Sequence, residues 1–308
     1  MSSAVVFAYH DVGVRCLKTL LARGVDVALV VTHADQPGEQ IWFDSVRATA
    51  EDYRIAVIAP DDPNTAGVLA RVREARPDFL FSFYYRLMLG APLLAVPSRG
   101  AYNLHGSLLP KYRGRVPVNW AVLHGESETG ATLHVMNEKP DNGAIVDQFA
   151  VPILPDDSAR EVFDKVCVAA ELVLWRSLPG LIDGSARATP QDLSRGRYFG
   201  GRRPEDGRIP AGIGARQLHD FVRALTHPYP GAFSDIGGRR LVVWRTLRGG
   251  AARRRPASTE LGVVDDTLTL VCADGGQLRV LEATLDGAPL DASSFRAAFG
   301  AASISIVR

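Results

Sequence analysis

The chain of 308 residues has little cysteine and less lysine than its basic character suggests: three cysteines, and four lysines against 31 arginines. Cys16, Cys167 and Cys272 lie far apart in apolar sequence. They match no zinc or redox spacing and read as buried, reduced thiols of a cytoplasmic protein. The seven histidines contain no pair at metal-binding spacing, so no metal is expected. His124 and His134 sit in apolar surroundings and are expected to be structural. No run approaches the ~18 apolar residues of a membrane helix. The start, Met-Ser-Ser and then a strand-like run, has neither the charged nor the apolar region of a secretory leader. Both absences argue for a cytoplasmic location without membrane insertion. The first apolar run ends at a His10-Asp11-Val12-Gly13 turn, which is not a GxGxxG, so no NAD is expected.

What is present is unevenly placed. Net charge is +1, yet residues 195–255 hold fourteen arginines and four acidic residues, a balance of +10 that leaves −9 on the remainder. Such a segment suits the phosphates of a nucleotide, a nucleic acid or a membrane surface. A solvated, arginine-rich linker is the equal alternative.

Apolar runs at 4–9, 25–32, 55–58, 79–83 and 100–105 alternate with helical spacing at 14–23 and 65–75. This order predicts a mainly parallel sheet with helices on both faces. Strands at 129–135 and 144–151 follow, then a long helix capped by Asp156-Asp157-Ser158 and running to about Ile182. Residues 183–214 are rich in Gly, Pro, Arg and Ser and read as a linker. A helix near 217–225 and short alternating strands at 240–245, 261–264, 268–272 and 278–283 predict a small β-barrel. The expected domains are a catalytic domain over 1–184, a linker over 185–213 and a second domain over 214–308.

The most informative stretch is 100–120. Asn103 and His105, two apart on one strand, leave the same face, and a turn-forming loop from Ser107 to Gly114 follows at once. Open α/β sheets hold ligands at such carboxyl ends. Further on, Asn137-Glu138-Lys139-Pro140-Asp141-Asn142-Gly143 forms a turn carrying a carboxylate. An amide, an imidazole and a carboxylate suit acyl transfer to an amine. Asn103 would stabilise the tetrahedral oxyanion, His105 would add a second hydrogen bond or take the amine's proton, and Asp141 would orient or charge-stabilise His105. No Ser or Cys sits in a nucleophile elbow, so direct attack by the amine is preferred over an acyl-enzyme. Taken singly, Asn103 also reads as a turn residue, His105 as a core histidine and Asp141 as a cap. The composite Asn-x-His-Gly-Ser-Leu-Leu-Pro-x-Tyr-Arg-Gly, with an aspartate 36 residues after the histidine, is much harder to reach by chance.

That composite resembles the signature of the formyltransferases that use 10-formyltetrahydrofolate, and the resemblance covers the whole chain. It implies a Rossmann-like domain, a linker and an OB-like barrel introduced by Pro228-Tyr-Pro-Gly-Ala. Val5 to Asp11, Pro37-Gly38-Glu39, Phe81 to Arg86 and Asn103 to Arg115 look most like the subgroup that formylates UDP-4-amino-4-deoxy-L-arabinose, a step in lipid A modification and polymyxin resistance. The resemblance places the catalytic trio at Asn103, His105 and Asp141. It puts Leu87, Met88, Leu89, Arg115 and the segment Asn137, Glu138, Lys139, Pro140 and Asp141 against the folate. It makes Tyr84, Tyr85, Arg86, Ser107, Lys111 and Arg113 candidates for the sugar nucleotide. Core packing is the alternative for 87–89, structural aromatics for Tyr84 and Tyr85, and solvated charge for Lys111 and Arg113. The subgroup's decarboxylase half is missing from this chain, which leaves a separate partner chain, an excised domain or a free-standing enzyme open, as it does a homo-oligomer. A methionyl-tRNA formyltransferase or another sugar-nucleotide N-formyltransferase is the alternative. The basic segment favours the tRNA enzyme, while the short, net acidic 33–44 stretch argues against nucleic acid.

Overall fold

A computed structural model describes residues 2–36, 38–252 and 254–306. Pro37, of the Pro37-Gly38-Glu39 motif, and Arg253, of the basic segment, lie outside them. The chain divides into two compact units, one built from 1–117, 128–152 and 163–200, the other from 118–127, 153–162 and 201–308.

In chain order the first unit's elements begin with β1 (Ser3–Ala8), α1 (His10–Ala22), β2 (Asp26–Val31), α2 (Val46–Asp52), β3 (Val57–Ile58), α3 (Ala66–Glu74), β4 (Phe79–Phe83), α4 (Ala91–Leu94) and β5 (Ala101–His105). After them come β6 (Arg113–Gly114), β7 (Glu128–Val135), β8 (Ile145–Pro152), the long helix α6 (Ala159–Asp183), whose first turn belongs to the second unit, and β9 (Tyr198–Phe199), while α5 (Pro117–Leu123), between β6 and β7, belongs almost wholly to the second unit. The sheet order is β3-β2-β1-β4-β5-β7-β8. The pairs from β3 through β5 are parallel, and β7 and β8 extend the edge in antiparallel fashion. β1 and β4 are buried nearly throughout, as strands covered on both faces must be. On one face Val5, Phe7, Leu29, Val31 and Leu80 pack against Val68 and Val72 of α3 and Leu93 of α4.

Two expectations needed revision. The His10-Asp11-Val12-Gly13 segment is the first turn of α1 rather than a turn preceding it. The chain enters with His10 at φ 68° and no side-chain cap, so the usual N-cap signal is missing. Gly13 fits there because an added Cβ would lie 2.9 Å from Val46. The stretch expected as a linker is also partly ordered on the first unit: β9 pairs with β6, and Thr189 exchanges two 2.8 Å backbone hydrogen bonds with Ile145. The long helix starts as expected, with Ser158 and Glu161 closing a reciprocal capping box.

The second unit contains α7 (Ala215–Leu225), β10 (Ala232–Ile236), β11 (Arg239–Ala251), β12 (Glu260–Val264), β13 (Thr267–Val271), β14 (Gly276–Leu285), β15 (Ala288–Pro289), α8 (Ala292–Phe299) and β16 (Ser303–Ser305). Its antiparallel sheet runs β10-β11-β14-β13-β12-β16, with β15 against β14. Leu218, Phe221, Val222 and Leu225 of α7 pack on Leu241, Val243, Leu270 and Leu278 of the sheet. Many arginines of the basic segment are held in ion pairs on this unit. Arg208 and Arg240 share Asp235, each at 2.6 Å, Arg239 meets Asp286 at 2.8 Å, and Arg254 pairs with Glu260.

Candidate active site

The β5 strand delivers Asn103 and His105 to the carboxyl edge of the sheet, and antiparallel pairing sets what stands beside them. Asn103 is opposite His134 of β7, and His105 is opposite Thr132. Directly opposed residues of an antiparallel ladder share a face, so the β7 side chains enter the site.

Their hydrogen bonds assign the tautomers. His105 Nε2 lies 2.8 Å from the Tyr112 carbonyl. A carbonyl only accepts, so Nε2 carries hydrogen and the bare nitrogen of the neutral ring is Nδ1. That nitrogen faces Asp141 Oδ1 at 3.5 Å. By the same logic His134 donates from Nδ1 to the Val135 carbonyl at 2.9 Å, leaving Nε2 to accept from Asn103 Nδ2 at 3.1 Å. His134 Nε2 is also 3.6 Å from Asp141 Oδ1. The carboxylate therefore sits between two imidazoles, and its Oδ2 accepts the Gly114 N–H at 2.7 Å. Burial pushes the Asp141 carboxyl up, but the positive charge that His105 carries when protonated, the contacts with His134 and the Gly114 N–H outweigh it and bring it down to about 2. The His105 side chain is 7% exposed and that of Asp141 10%, so this polar group is nearly closed to bulk water.

The 106–114 loop is held by its own polar groups and by those of β7 and β8. The Ser107 hydroxyl donates to the Lys111 carbonyl at 2.6 Å. Thr132 donates to the Ser107 carbonyl at 2.6 Å and accepts from Leu109 N at 3.1 Å. Gln148 Nε2 reaches both Thr132 Oγ1 and the Leu109 carbonyl. Gly106 has no alternative, since a Cβ there would lie 1.8 Å from the Tyr84 hydroxyl oxygen. Left-handed backbone at Tyr84, Tyr112 and Asp141 (φ 55–56°) clusters in the same place; such conformations persist where surrounding contacts over-determine them.

The other expected residues scatter by role. Leu89 is buried in the core, whereas Leu87 and Met88, on the loop after β4, are 41% and 52% exposed. Arg115 and Lys111 are exposed. Asn137, Glu138 and Lys139 are exposed on a turn in which Asn137 Oδ1 accepts the Lys139 N–H, and Pro140 leads into Asp141. Tyr85 stacks on His33 at 4.1 Å, while the Arg86 guanidinium pairs with Glu39 at 2.6 Å and lies over the Tyr9 ring. Arg113 turns inward to Asn142 Oδ1 at 2.8 Å and to the Leu193 and Gly196 carbonyls. Tyr84 packs near Phe163 and His10. Sequence reasoning left out Thr132, Gln148 and Gln191 and set His134 aside as structural. The period-two spacing of Thr132 and His134 was the available signal for two of them. A cavity of about 470 Å³ beside Arg73, Arg76, Val96 and Ser98 lies at the amino ends of β4 and β5, away from this chemistry. Among the described residues no group of three or more His, Cys, Asp or Glu side chains could hold a metal, and no helix is long and apolar enough to cross a membrane.

Comparison with known proteins agrees with this architecture. A family model described as formyl transferase matches residues 6–178, and one for the formyl transferase C-terminal domain matches 202–300. An N-formyltransferase from Helicobacter canadensis, solved with folinic acid and dTDP-3-aminofucose, superposes with a TM-score of 0.72 at 19% identity, covering 91% of this chain and 99% of that one. The sugar 3N-formyl transferase WlaRD, solved with dTDP and 5-N-formyl-THF, gives 0.71 at 18%, covering 91% and 97%. HypX from Aquifex aeolicus, solved with tetrahydrofolic acid, gives 0.62 at 15%, covering 95% of this chain and 46% of that protein.

Proposed function

The chain belongs to the formyl transferase family, and from that premise we propose that it moves a formyl group from 10-formyltetrahydrofolate to the amine of a nucleotide-linked amino sugar. The observation that carries this reading is the cluster of Asn103, His105 and Asp141 at the carboxyl edge of the sheet, with its tautomers set by carbonyl acceptors.

The amine attacks the formyl carbon, a tetrahedral oxyanion forms, and the amine's proton must leave. The N–H of Asn103 not committed to His134 is the oxyanion donor; removing one such donor typically costs on the order of 100-fold in rate. His105 takes the proton at Nδ1, because Nε2–H is occupied by the Tyr112 carbonyl. Asp141, 3.5 Å away, stabilises the imidazolium that results. Collapse of the intermediate returns a proton to the departing folate nitrogen and releases tetrahydrofolate and the formamide. The exposed Leu87 and Met88, with Arg115 and the 137–141 turn, would flank the folate. A phosphate reaching Arg86 would have to displace the Glu39 carboxylate.

For the acceptor, the likeness at 5–11, 81–86 and 103–115 supports UDP-4-amino-4-deoxy-L-arabinose, whose formylation serves lipid A modification. A dTDP-linked amino sugar is the second reading, favoured by the ligands of the two sugar N-formyltransferase neighbours. Methionyl-tRNA is disfavoured because the arginines at 208, 239, 240 and 254 are already paired with carboxylates. The test is formyl transfer from 10-formyltetrahydrofolate with the UDP-aminopentose, dTDP-3-aminofucose and methionyl-initiator tRNA offered in parallel. Turnover on a sugar nucleotide supports the reading and selects the nucleotide; turnover on the tRNA alone overturns it.

A further inference from the structure

We propose that Gln191 is a positioning residue: its side-chain amide pins the turn that aims the Asp141 carboxylate at His105. The inference rests on the catalytic reading of Asp141 given above. Gln191 lies 50 residues beyond Asp141, in the stretch whose composition reads as a linker, yet its Nε2 donates to two carbonyls of that turn, Asp141 O at 2.9 Å and Gly143 O at 2.6 Å. Both amide hydrogens are thereby used. The Oε1 is buried and accepts nothing among the described residues, and a flipped amide would set it against the same two carbonyls. The orientation is therefore unambiguous, and the side chain acts purely as a donor clamp.

The turn needs a clamp. Asp141 is left-handed at φ 56°, a conformation that is uncommon outside glycine, though aspartate tolerates it better than most, and that surrounding contacts hold in place. Its carboxylate direction, and so the 3.5 Å approach to His105 Nδ1, follows from that backbone setting. Two neighbouring features tie the same strap to the site. Thr189 is bound to Ile145 just before Gln191. Beyond it, Arg113 joins Asn142 Oδ1 to the Leu193 and Gly196 carbonyls, and the Arg113 N–H is received by the Arg197 carbonyl at 3.1 Å. Gln191 is the side chain of this strap that grips the carbonyl of Asp141 itself.

The test uses the full chain with Gln191→Met, which keeps length and volume but removes both donors, and Gln191→Ala as the second variant should the first fold poorly. Three readouts are taken: kcat and KM with both substrates, the thermal midpoint, and the carboxyl 13C signal of Asp141 as pH falls from about 7 to about 4, a window above the usual Asp range. The pin predicts a midpoint within a few degrees of native, KM within about twofold, and kcat down roughly 10- to 100-fold, the scale of a 1 Å misplacement. It also predicts that the Asp141 signal, flat over that window in the native protein, begins to titrate in the variant. A flat signal in the variant overturns the proposal whatever happens to kcat. A signal that moves while kcat stays native upholds the pin and sinks the catalytic reading of Asp141 instead, and Asp141→Ala with native turnover would say the same independently.

Discussion

Replacing Asp141 by Asn removes one charge and almost no volume, which makes it the sharpest test of the proton-transfer step. The carboxylate is 3.5 Å from His105 Nδ1. Two full charges at that distance attract by about 5 kcal/mol at an effective dielectric of ~20. Proton transfer is partial in the transition state and the 10% exposed side chain still meets some water, so about 3 kcal/mol is a reasonable loss, or roughly 100-fold in kcat. The new amide can also donate to Nδ1 and occupy the lone pair that should receive the amine's proton, which adds to the loss. KM should change little, because the interaction grows only as charge develops. The assay is steady-state release of tetrahydrofolate at saturating acceptor. Stability provides an independent arm. The folded carboxyl titrates at about 2 against ~3.9 unfolded. Its stabilisation, about 2.6 kcal/mol, is therefore complete above pH ~5 and lost progressively as pH falls through ~4 toward ~2. The Asn variant should be less stable at neutral pH and lack that acid-dependent component. A kcat within threefold of native would refute the proposed role of the carboxylate.

The remaining predictions are narrower. His134→Phe removes the acceptor for Asn103 while keeping ring volume, and should lower kcat on the order of tenfold; in an Asn103→Ala background it should cost clearly less, the remainder coming through Asp141, and fully additive losses would disprove the coupling. Gly143→Ala would place a Cβ 1.7 Å from the Val135 carbonyl, so the Asp141 turn must shift; we expect a loss of about 2 kcal/mol and impaired turnover, and an unchanged melting midpoint would contradict it. Burial, with the Arg86 charge adding, lowers His33 to about 4. Its neutral form is favoured on folding, so stability should be level above pH ~6.5 and fall between ~6.5 and ~4; His33→Phe should flatten that slope in acid unfolding scans. Arg115→Ala should weaken tetrahydrofolate binding, and an unchanged dissociation constant would remove Arg115 from the folate site.

The parallel half of the fold was readable because strands buried on both faces must be apolar throughout. Phe79-Leu-Phe-Ser-Phe and Ala4 to Ala8 show this, and helical spacing stands out at 14–23 and 65–75 between strands. The antiparallel strands of the second unit were readable from alternation and from turns such as Gly237-Gly238. What escaped was short or unsignalled. The seven-residue α2 and the four-residue α4 are too brief for a period to stand out. The start of α1 carries no side-chain cap, so a glycine and an aspartate near it read as a turn. The two-residue β9 has no pattern of its own and exists because β6 offers it a partner.

The same division runs through the site. Asn103 and His105 were legible because a strand's period of two needs only local sequence to place both on one face. Asp141 was legible as a residue type on a turn, but its aim was not. That aim depends on Gly114 from 27 residues before it, on Gln191 from 50 residues after it, and on Arg113 holding Asn142. None of these pairings leaves a local trace, because a glycine N–H, a polar amide and an arginine in loops are common whether or not they meet. His134 shows the step between the two cases. Its alternation with Thr132 is local, yet its role appears only once β7 is known to lie antiparallel to β5 with Asn103 opposite it. Strand chemistry thus places the proposed reactive groups on one face, whereas the groups that set their tautomers and directions emerge only from long-range register. Substitutions at that second set are where this mechanism is most exposed to refutation.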